Sequence, residues 1–551
     1  MKSNKEIVSA LKLLAQLMEL HEGNAFKIKS ISNAAFKLGK YAESLAEKSE
    51  SELASIEGVG KSVASKIIEL CTQDQIAELE SLKEITPHGL IEMLQIKGLG
   101  PKKIQIIWKQ LTIDNIGELY YACIENRLVE AKGFGLKTQE EIKKLIEFTM
   151  MNKGSLLLSN AIQTYDELRE IIDITAVGEL ARQCEIITQL EFIAPSIQKN
   201  NIVSALSKLE NLQGEVIEQS YHGTLNTNTQ VFIYFVDDTD WQVQKFLKTS
   251  TAAHLNLLPN FDLEKLQQTT LSSEEDIYKY IGIQYIPAAM REGHREVALA
   301  KENKLPTLIT NEDLQGSLHN HSTWSDGIHS LEEMARYCKE IGYTYLGICD
   351  HSQSAFYANG LKPERVLAQF NEIESLNAKY PDFHIFKGIE SDILNDGELD
   401  YEVDLLKQFD FIVASVHSNL KMDESKANAR LLKAIENPYT TMLGHPTGRL
   451  LLARQGYPIN HQLMIDACAA NNVAIEINAN PLRLDLDWRW VDYALQKGVY
   501  LSINPDAHKK EGYHDMKYGV MVAQKGGLSR EFCLNAWDKN QLADYFKSKK
   551  K

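Results

Sequence analysis

The chain has 551 residues and a formal net charge of −16, so it is long enough for three or four domains and too acidic to hold nucleic acid by bulk charge. Hydrophobic residues make up 44% of it, enough for real cores. Seven cysteines without a C-x-x-C pair exclude a disulfide framework or a zinc ribbon and read as a reduced, cytoplasmic protein. No run is long and apolar enough to span a bilayer, and the opening Met1-Lys2-Ser3-Asn4-Lys5-Glu6 lacks the apolar core of a secretory signal.

Residues 1–150 are close to charge balance, and the acidic excess lies downstream. Apolar residues recur there at helical spacing, and three similar turns break the helices. They are Glu57-Gly58-Val59-Gly60-Lys61, Lys97-Gly98-Leu99-Gly100-Pro101-Lys102 and Lys132-Gly133-Phe134-Gly135-Leu136-Lys137. Gly-apolar-Gly permits a turn with positive φ and close approach of backbone to a ligand. The next helix N-terminus then presents amides to a phosphate, with a lysine beside it. One such turn is an ordinary helix C-cap; three together look like helix-hairpin-helix motifs, which grip DNA backbone without reading sequence. The candidate DNA-binding residues are Gly58, Gly60, Lys61, Gly98, Gly100, Lys102, Gly133, Gly135 and Lys137. Lys66 follows the first turn, and its pattern alone reads as a solvated helix lysine; near a captured phosphate its amine would attack a sugar aldehyde as a Schiff base.

From 151 to 298 strand-like and helix-like runs alternate. Residues 189–193 and 231–236 predict strands, and 202–209 and 241–247 predict helices, an α+β domain. Residues 299–312 read as a linker.

Beyond 313, metal-type side chains follow apolar, β-prone runs at 345–349, 384–389, 411–416, 442–443 and 500–503. They are His319 and His321, Asp326, His351 in Asp350-His351, Glu390, His417, His445, and Asp506 and His508. Repeated strand–helix units build a parallel barrel whose chemistry gathers at the C-terminal strand ends. Six imidazoles and three carboxylates exceed one ion's needs. With a bridging carboxylate they would hold two or three divalent ions, suited to in-line attack on phosphate esters. The donor mixture suits manganese, zinc or iron, with availability deciding, and manganese is the favoured expectation. His329, His384, His461 and His514 read as ordinary histidines. Arg449 and Arg483 fit either a clamp on substrate phosphate or a salt bridge on the barrel rim.

These motifs together resemble the bacterial and archaeal family X DNA polymerases that end in a PHP (polymerase and histidinol phosphatase) domain, over nearly the whole chain. Tyr285-Ile286-Pro287-Ala288-Ala289-Met290-Arg291-Glu292-Gly293 is similar to the segment that closes the polymerase part. Leu305-Pro306-Thr307-Leu308-Ile309-Thr310 and the following Leu314-Gln315-Gly316-Ser317-Leu318-His319 are similar to the entry into the PHP domain. The resemblance implies a multidomain α and α/β chain: a lyase-like DNA-binding domain with the first hairpin (1–85), a fingers-like helical segment with two more (86–150), an α+β nucleotidyltransferase-like palm and thumb (151–298), a linker (299–312), and a distorted (β/α)7 PHP barrel (313–551). It places Lys66 at the family's Schiff-base lysine. It assigns one ion to His319, His321, Glu390 and Asp506, a second to Glu390, His417 and His445, and a third to Asp326, His351 and His508.

The palm departs from the family. The stretch from Val177 to Glu191 aligns without gaps and keeps Gly178, Arg182 and Glu185. Glu179 replaces a serine, Ala181 an arginine, and Gln189 and Glu191 the two aspartates of Gly-Asp-x-Asp. Phe232 stands for the third carboxylate, and the nucleotide-sugar contact is altered at Phe246-Leu247-Lys248-Thr249-Ser250. Phenylalanine cannot coordinate magnesium, and glutamine is a poor neutral substitute. The expected function is a monomeric DNA-repair or end-processing nuclease, a metal-dependent 3′-5′ exonuclease and abasic-site endonuclease whose polymerase activity is lost. The alternatives are an active gap-filling polymerase with PHP proofreading, a phosphatase of small esters, and a DNA-binding scaffold.

Overall fold

The computed structural model describes residues 2–550 except 130, 132, 152 and 153, with backbone only for 148–151. Lys132 of the third turn therefore lies outside the described residues. The chain divides into two compact units, Met1–Glu147 and Phe148–Lys551.

The described residues of the first unit form helices without strands. Its opening helix, Asn4–Leu20, starts where Ser3 and Glu6 exchange side-chain and backbone hydrogen bonds as a capping box. It buries Ile7, Leu11, Leu14 and Met18 along one stripe, the period of a core-facing helix. Helices Lys61–Gln73 and Pro101–Leu111 follow the first two Gly-apolar-Gly turns, and Leu136–Met151 follows the third.

The second unit begins with a five-stranded sheet: β1 (Thr175–Val177), β2 (Gln189–Pro195), β3 (Leu212–Ile217), β4 (Ser220–Leu225) and β5 (Gln230–Val236), in the order β1-β2-β5-β4-β3. Only β2 and β5 pair in parallel, with Glu191 opposite Phe232. The predicted strands at 189–193 and 231–236 correspond to β2 and β5.

Seven parallel strands follow: β6 (Gly316–Ser317), β7 (Tyr345–Ile348), β8 (His384–Asp392), β9 (Phe411–Ser415), β10 (Met442–Leu443), β11 (Ala474–Asn478) and β12 (Leu501–Asn504), each beside the next. The sheet curls until Asn320 bridges Ala507 just beyond its two edges, which nearly closes the barrel. The five apolar runs read from sequence all form strands here. The sixth and seventh, β6 and β11, have weaker signals: a two-residue strand and a run interrupted by a charged Glu476.

Leu318, Tyr345, Phe386, Phe411 and Met442 fill the barrel core, and Phe546 from the last helix, Lys539–Lys549, closes its base. Phe546 stacks on Phe411 with ring centroids 5.0 Å apart. Gly347 and Gly388 make room for Phe411, since a Cβ on either would lie within 2.6 Å of its ring.

Residues of the 177–191 stretch seat the sheet domain on the barrel. Glu185 accepts from Arg489 at 2.6 Å and from the Trp488 indole at 3.0 Å. Arg182 gives its carbonyl to the Lys525 ammonium at 2.9 Å, whose buried side chain also pairs with Glu292. Removing Glu185 strands a buried indole donor, while Arg489 keeps Asp487. Glu185→Ala should cost about 1–3 kcal/mol locally, seen as faster amide exchange across 178–188 while the barrel strands keep their protection.

Candidate metal centre and DNA-binding turns

Parallel strands end on one side of the barrel, so residues far apart in sequence converge there. His319 and His321 leave β6, His351 leaves β7, Glu390 lies within β8, His417 and His445 follow β9 and β10, and Asp506 and His508 follow β12. Asp326 comes from the loop after β6. That loop is fixed by the buried Asp350, which accepts from the Ser322 and Ser325 amides and hydroxyls and from Gln369. Asp350 thus holds the loop rather than joining the cluster.

Glu390 is the hub. Its carboxylate oxygens lie 3.3 Å from His319 Nε2, 3.6 Å from His321 Nε2, 2.9 Å from His351 Nδ1, 3.1 Å from His417 Nε2 and 3.0 Å from His445 Nε2. Three groups have ligand atoms close enough to share an ion: His321, Asp326, His351 and His508; His319, His321 and Asp506; and His351, Glu390 and His417. The grouping differs in part from the one implied by the resemblance. His351 faces Glu390 and His417 as well as Asp326, and His321 belongs to two groups. His445 stands against Glu390 but outside these three sets.

Several imidazoles are aimed by a partner on their other nitrogen, the arrangement that sets tautomer and basicity at metal sites. His319 Nδ1 lies 2.7 Å from the buried Glu476 on β11. His417 Nδ1 pairs with Asp392, and His508 Nδ1 lies 3.0 Å from the Asp506 carbonyl. Asn478 donates to Asp506 at 3.2 Å. Glu476 and Asp392 escaped the sequence reading, because Glu476 lies inside an apolar run, Asp392 lies beyond the end of one, and neither stands in a histidine motif. The alternation along β11, with Glu476 and Asn478 two residues apart, was the available signal.

Burial disfavours charge throughout the pocket, but neighbours decide each group. Glu476, Glu390 and Asp506 outweigh burial and hold the His319 pKa well above its ordinary value. His417 is raised in the same way by Glu390 and Asp392. Against burial, His417, His319 and His351 pull Glu390 well below the usual carboxylate range. Burial, with His508 and His351 alongside, pushes His321 down to about 3, which leaves its lone pair available.

The residues fit divalent ions. Among the described residues, His319 Nε2, His321 Nδ1, both His351 nitrogens, His445 Nδ1 and one Glu390 oxygen are buried without a hydrogen-bond partner. Such groups are costly when left unsatisfied, and imidazole mixed with carboxylate is the donor set that divalent ions complete.

The two arginines differ. Arg449 directs its guanidinium to Asp487 at 2.5 Å and to the Arg483 carbonyl at 2.9 Å, with a further contact to the Leu484 carbonyl. Arg483 Nε lies 3.9 Å from Asp506, at the cluster itself.

In the palm, Gln189 and Glu191 share a face of β2, and Phe232 and Tyr234 line the adjacent β5. Glu191 accepts from the Tyr234 hydroxyl at 3.0 Å, and the Lys248 ammonium sits 3.4 Å over the Tyr234 ring. Burial lowers the Lys248 pKa, while Glu191 opposes the shift. No group of potential metal ligands occurs here among the described residues.

The three front turns share one geometry. Gly58, Gly98 and Gly133 have φ of 88°, 90° and 93°, and the apolar residue after each is buried. The second glycines, Gly60, Gly100 and Gly135, have open space where a Cβ would stand. Helices Lys61–Gln73 and Pro101–Leu111 begin without a side-chain cap, so their first amides are left for an incoming acceptor. Lys61, Lys102 and Lys137 are exposed. Lys66 instead pairs with Glu78 at 2.6 Å, and Lys27 takes the same carboxylate's other oxygen at 2.5 Å.

Comparison with known proteins agrees with this layout. Residues 2–76 match the helix-hairpin-helix domain, 90–145 the SAM-like helix-hairpin-helix tandem, and 317–480 the PHP domain. The DNA polymerase/3′-5′ exonuclease PolX of Bacillus subtilis is 33% identical over 97% of both chains. A probable phosphatase of Thermoanaerobacter sp. is 25% identical over 42% of this chain and 94% of its own. One from Vibrio atlanticus is 28% identical over 36% of this chain and 79% of its own. With that identity spread over almost the full length of both chains, and helix-hairpin-helix and PHP domains matched within it, the chain belongs to the family X DNA polymerases that carry a C-terminal PHP domain.

Proposed function

We propose that this chain processes DNA ends in repair, removing nucleotides 3′-to-5′ and incising abasic sites at the PHP pocket, with its palm retained as a brace rather than a polymerase. The observation that carries the reading is the contrast between two sites. The barrel gathers eight competent ligands around Glu390, itself the ninth, whereas the palm face offers Glu191 bonded to Tyr234 beside Phe232. The relative from Bacillus subtilis bears both activities in its name. Polymerisation in this chain would need carboxylates that the palm face lacks among the described residues. That second reading, a gap-filling polymerase with PHP proofreading, rests on that name.

His319, His321, Glu390 and Asp506 would hold one ion, Glu390 with His417 and His445 a second, and Asp326, His351 and His508 a third. Manganese is the favoured occupant, with zinc or iron as alternatives. Bound divalent ions supply Lewis acidity and offset charge on a phosphodiester. The protein's own groups do the positioning. Glu476 and Asp392 hold the His319 and His417 rings so that Nε2 faces inward. Arg483, beside Asp506, would take a substrate phosphate, and Arg449 holds the loop that carries it. The glycine turns, with Lys61, Lys102 and Lys137, would hold backbone without reading bases. Lys66 would serve as a Schiff-base amine once Glu78 releases it.

With manganese, wild-type protein should shorten labelled DNA from the 3′ end and cut at abasic sites. Glu390→Ala should abolish both while DNA binding by the hairpins persists; undiminished degradation by Glu390→Ala would place the activity elsewhere. Glu476→Ala should weaken manganese binding by about 10- to 100-fold, read by metal titration of the full chain. In a gapped primer-extension assay with magnesium or manganese, no product above background is expected. Templated extension that Glu191→Ala removes would restore the polymerase reading.

A further inference from the structure

The loop that leaves the metal centre after His351 carries two adjacent aromatic residues, Phe356 exposed and Tyr357 half-buried. Phe356 is 81% exposed, in a short 3-10 turn, Phe356–Ala358. The Tyr357 ring lies 6.5 Å from the His351 ring and 5.9 Å from Phe356, edge to face with the latter. Single exposed apolar side chains are common, so exposure alone means little. The loop's anchoring is what distinguishes this one.

The loop is pinned at both ends. The Leu361 amide donates to the His351 carbonyl at 2.8 Å, and Gly360 donates back to Ala355 at 3.0 Å. Gln353 and the Ser354 amide both donate to Asp400, each at 2.6 Å. The Ser354 hydroxyl donates to Asp392 at 2.8 Å, and Asp392 is the carboxylate that orients His417. An exposed phenyl ring is thus held on a fixed frame, tied through one carboxylate to the candidate metal ligands. A ring presented in this way pays little ordering entropy when a flat partner lands on it.

We propose that Phe356 and Tyr357 form a stacking platform that receives the base of the terminal nucleotide while its phosphate lies at the metal centre. The platform would select base-bearing single-stranded 3′ ends over small phosphate esters, which have no π face to offer. Base–aromatic stacking tolerates any sequence because every base has such a face, which suits an enzyme whose hairpins do not read bases. The inference rests on the nuclease reading and names the substrate end that this pocket takes.

The test uses the full chain with manganese and single-stranded oligonucleotides ending in a normal nucleotide or in an abasic tetrahydrofuran residue. Wild-type protein should show a lower KM for the base-bearing end. In Phe356→Ala the ratio of the two KM values should fall to about one, through a rise of about tenfold for the base-bearing end, the order expected for one lost stack, and Phe356→Trp should restore it. A second readout is the quenching of 2-aminopurine placed at a phosphorothioate-protected 3′ end, strong with wild type and lost in Phe356→Ala. Hydrolysis with neither quenching nor a change in the KM ratio overturns the platform and leaves the nuclease reading intact. Quenching lost in Phe356→Ala, in a protein that hydrolyses nothing, supports the platform and overturns the nuclease reading. Phe356 is exposed, so its replacement does not threaten the fold.

Discussion

The barrel domain is organised around one buried carboxylate. Glu390 lies at the end of β8 with five imidazoles within 3.6 Å. A buried charge is tolerated only when paired, and removing its partners is severely destabilising. The arrangement therefore requires strands that all point their C-terminal ends to one place, which a parallel closed sheet provides. It also requires an outer layer of acceptors, and Glu476, Asp392 and the Asp506 carbonyl supply it. The apolar base beneath, with Phe411 stacked on Phe546, leaves the polar cluster at the opposite end of the strands.

The palm tells a complementary story. On its sheet Glu191 accepts from a tyrosine on which a lysine is stacked, and its loop is seated on the barrel through Glu185, Arg182 and Lys525. Packing of this domain depends on buried apolar area and a few buried ion pairs, separately from the handful of side chains on its open face. Arg182 and Glu185, which match the family pattern, are spent on this seating.

Much of the site was legible beforehand because its ligands come in motifs: His319-Asn320-His321, Asp350-His351 and Asp506-Ala507-His508 each follow or flank a strand. The partners behind them were not. Glu476 sits in β11, a strand masked by its own charge, and Asp392 closes β8 beyond the apolar run that announced it. Asp350 stands beside a metal-type histidine in sequence but turns to Ser322, Ser325 and Gln369. Adjacent strand residues face opposite ways, and adjacency therefore misleads wherever a strand ends.

Local sequence by itself determined the three glycine turns, the helices around them, most barrel strands and the nine candidate ligand side chains, because turn chemistry and apolar periodicity act over a few residues. It also determined that Gln189 and Phe232 bring no carboxylate to the sheet, since a side chain either carries that group or does not. Only the tertiary structure decided which histidines lie close enough to share an ion, that Glu390 touches five of them, that Lys66 is held by Glu78, and that Arg449 supports a loop while Arg483 reaches the cluster. Those outcomes depend on ångström-scale distances between strands far apart in the chain. Such distances are set by barrel closure and side-chain packing, which no short stretch of sequence contains.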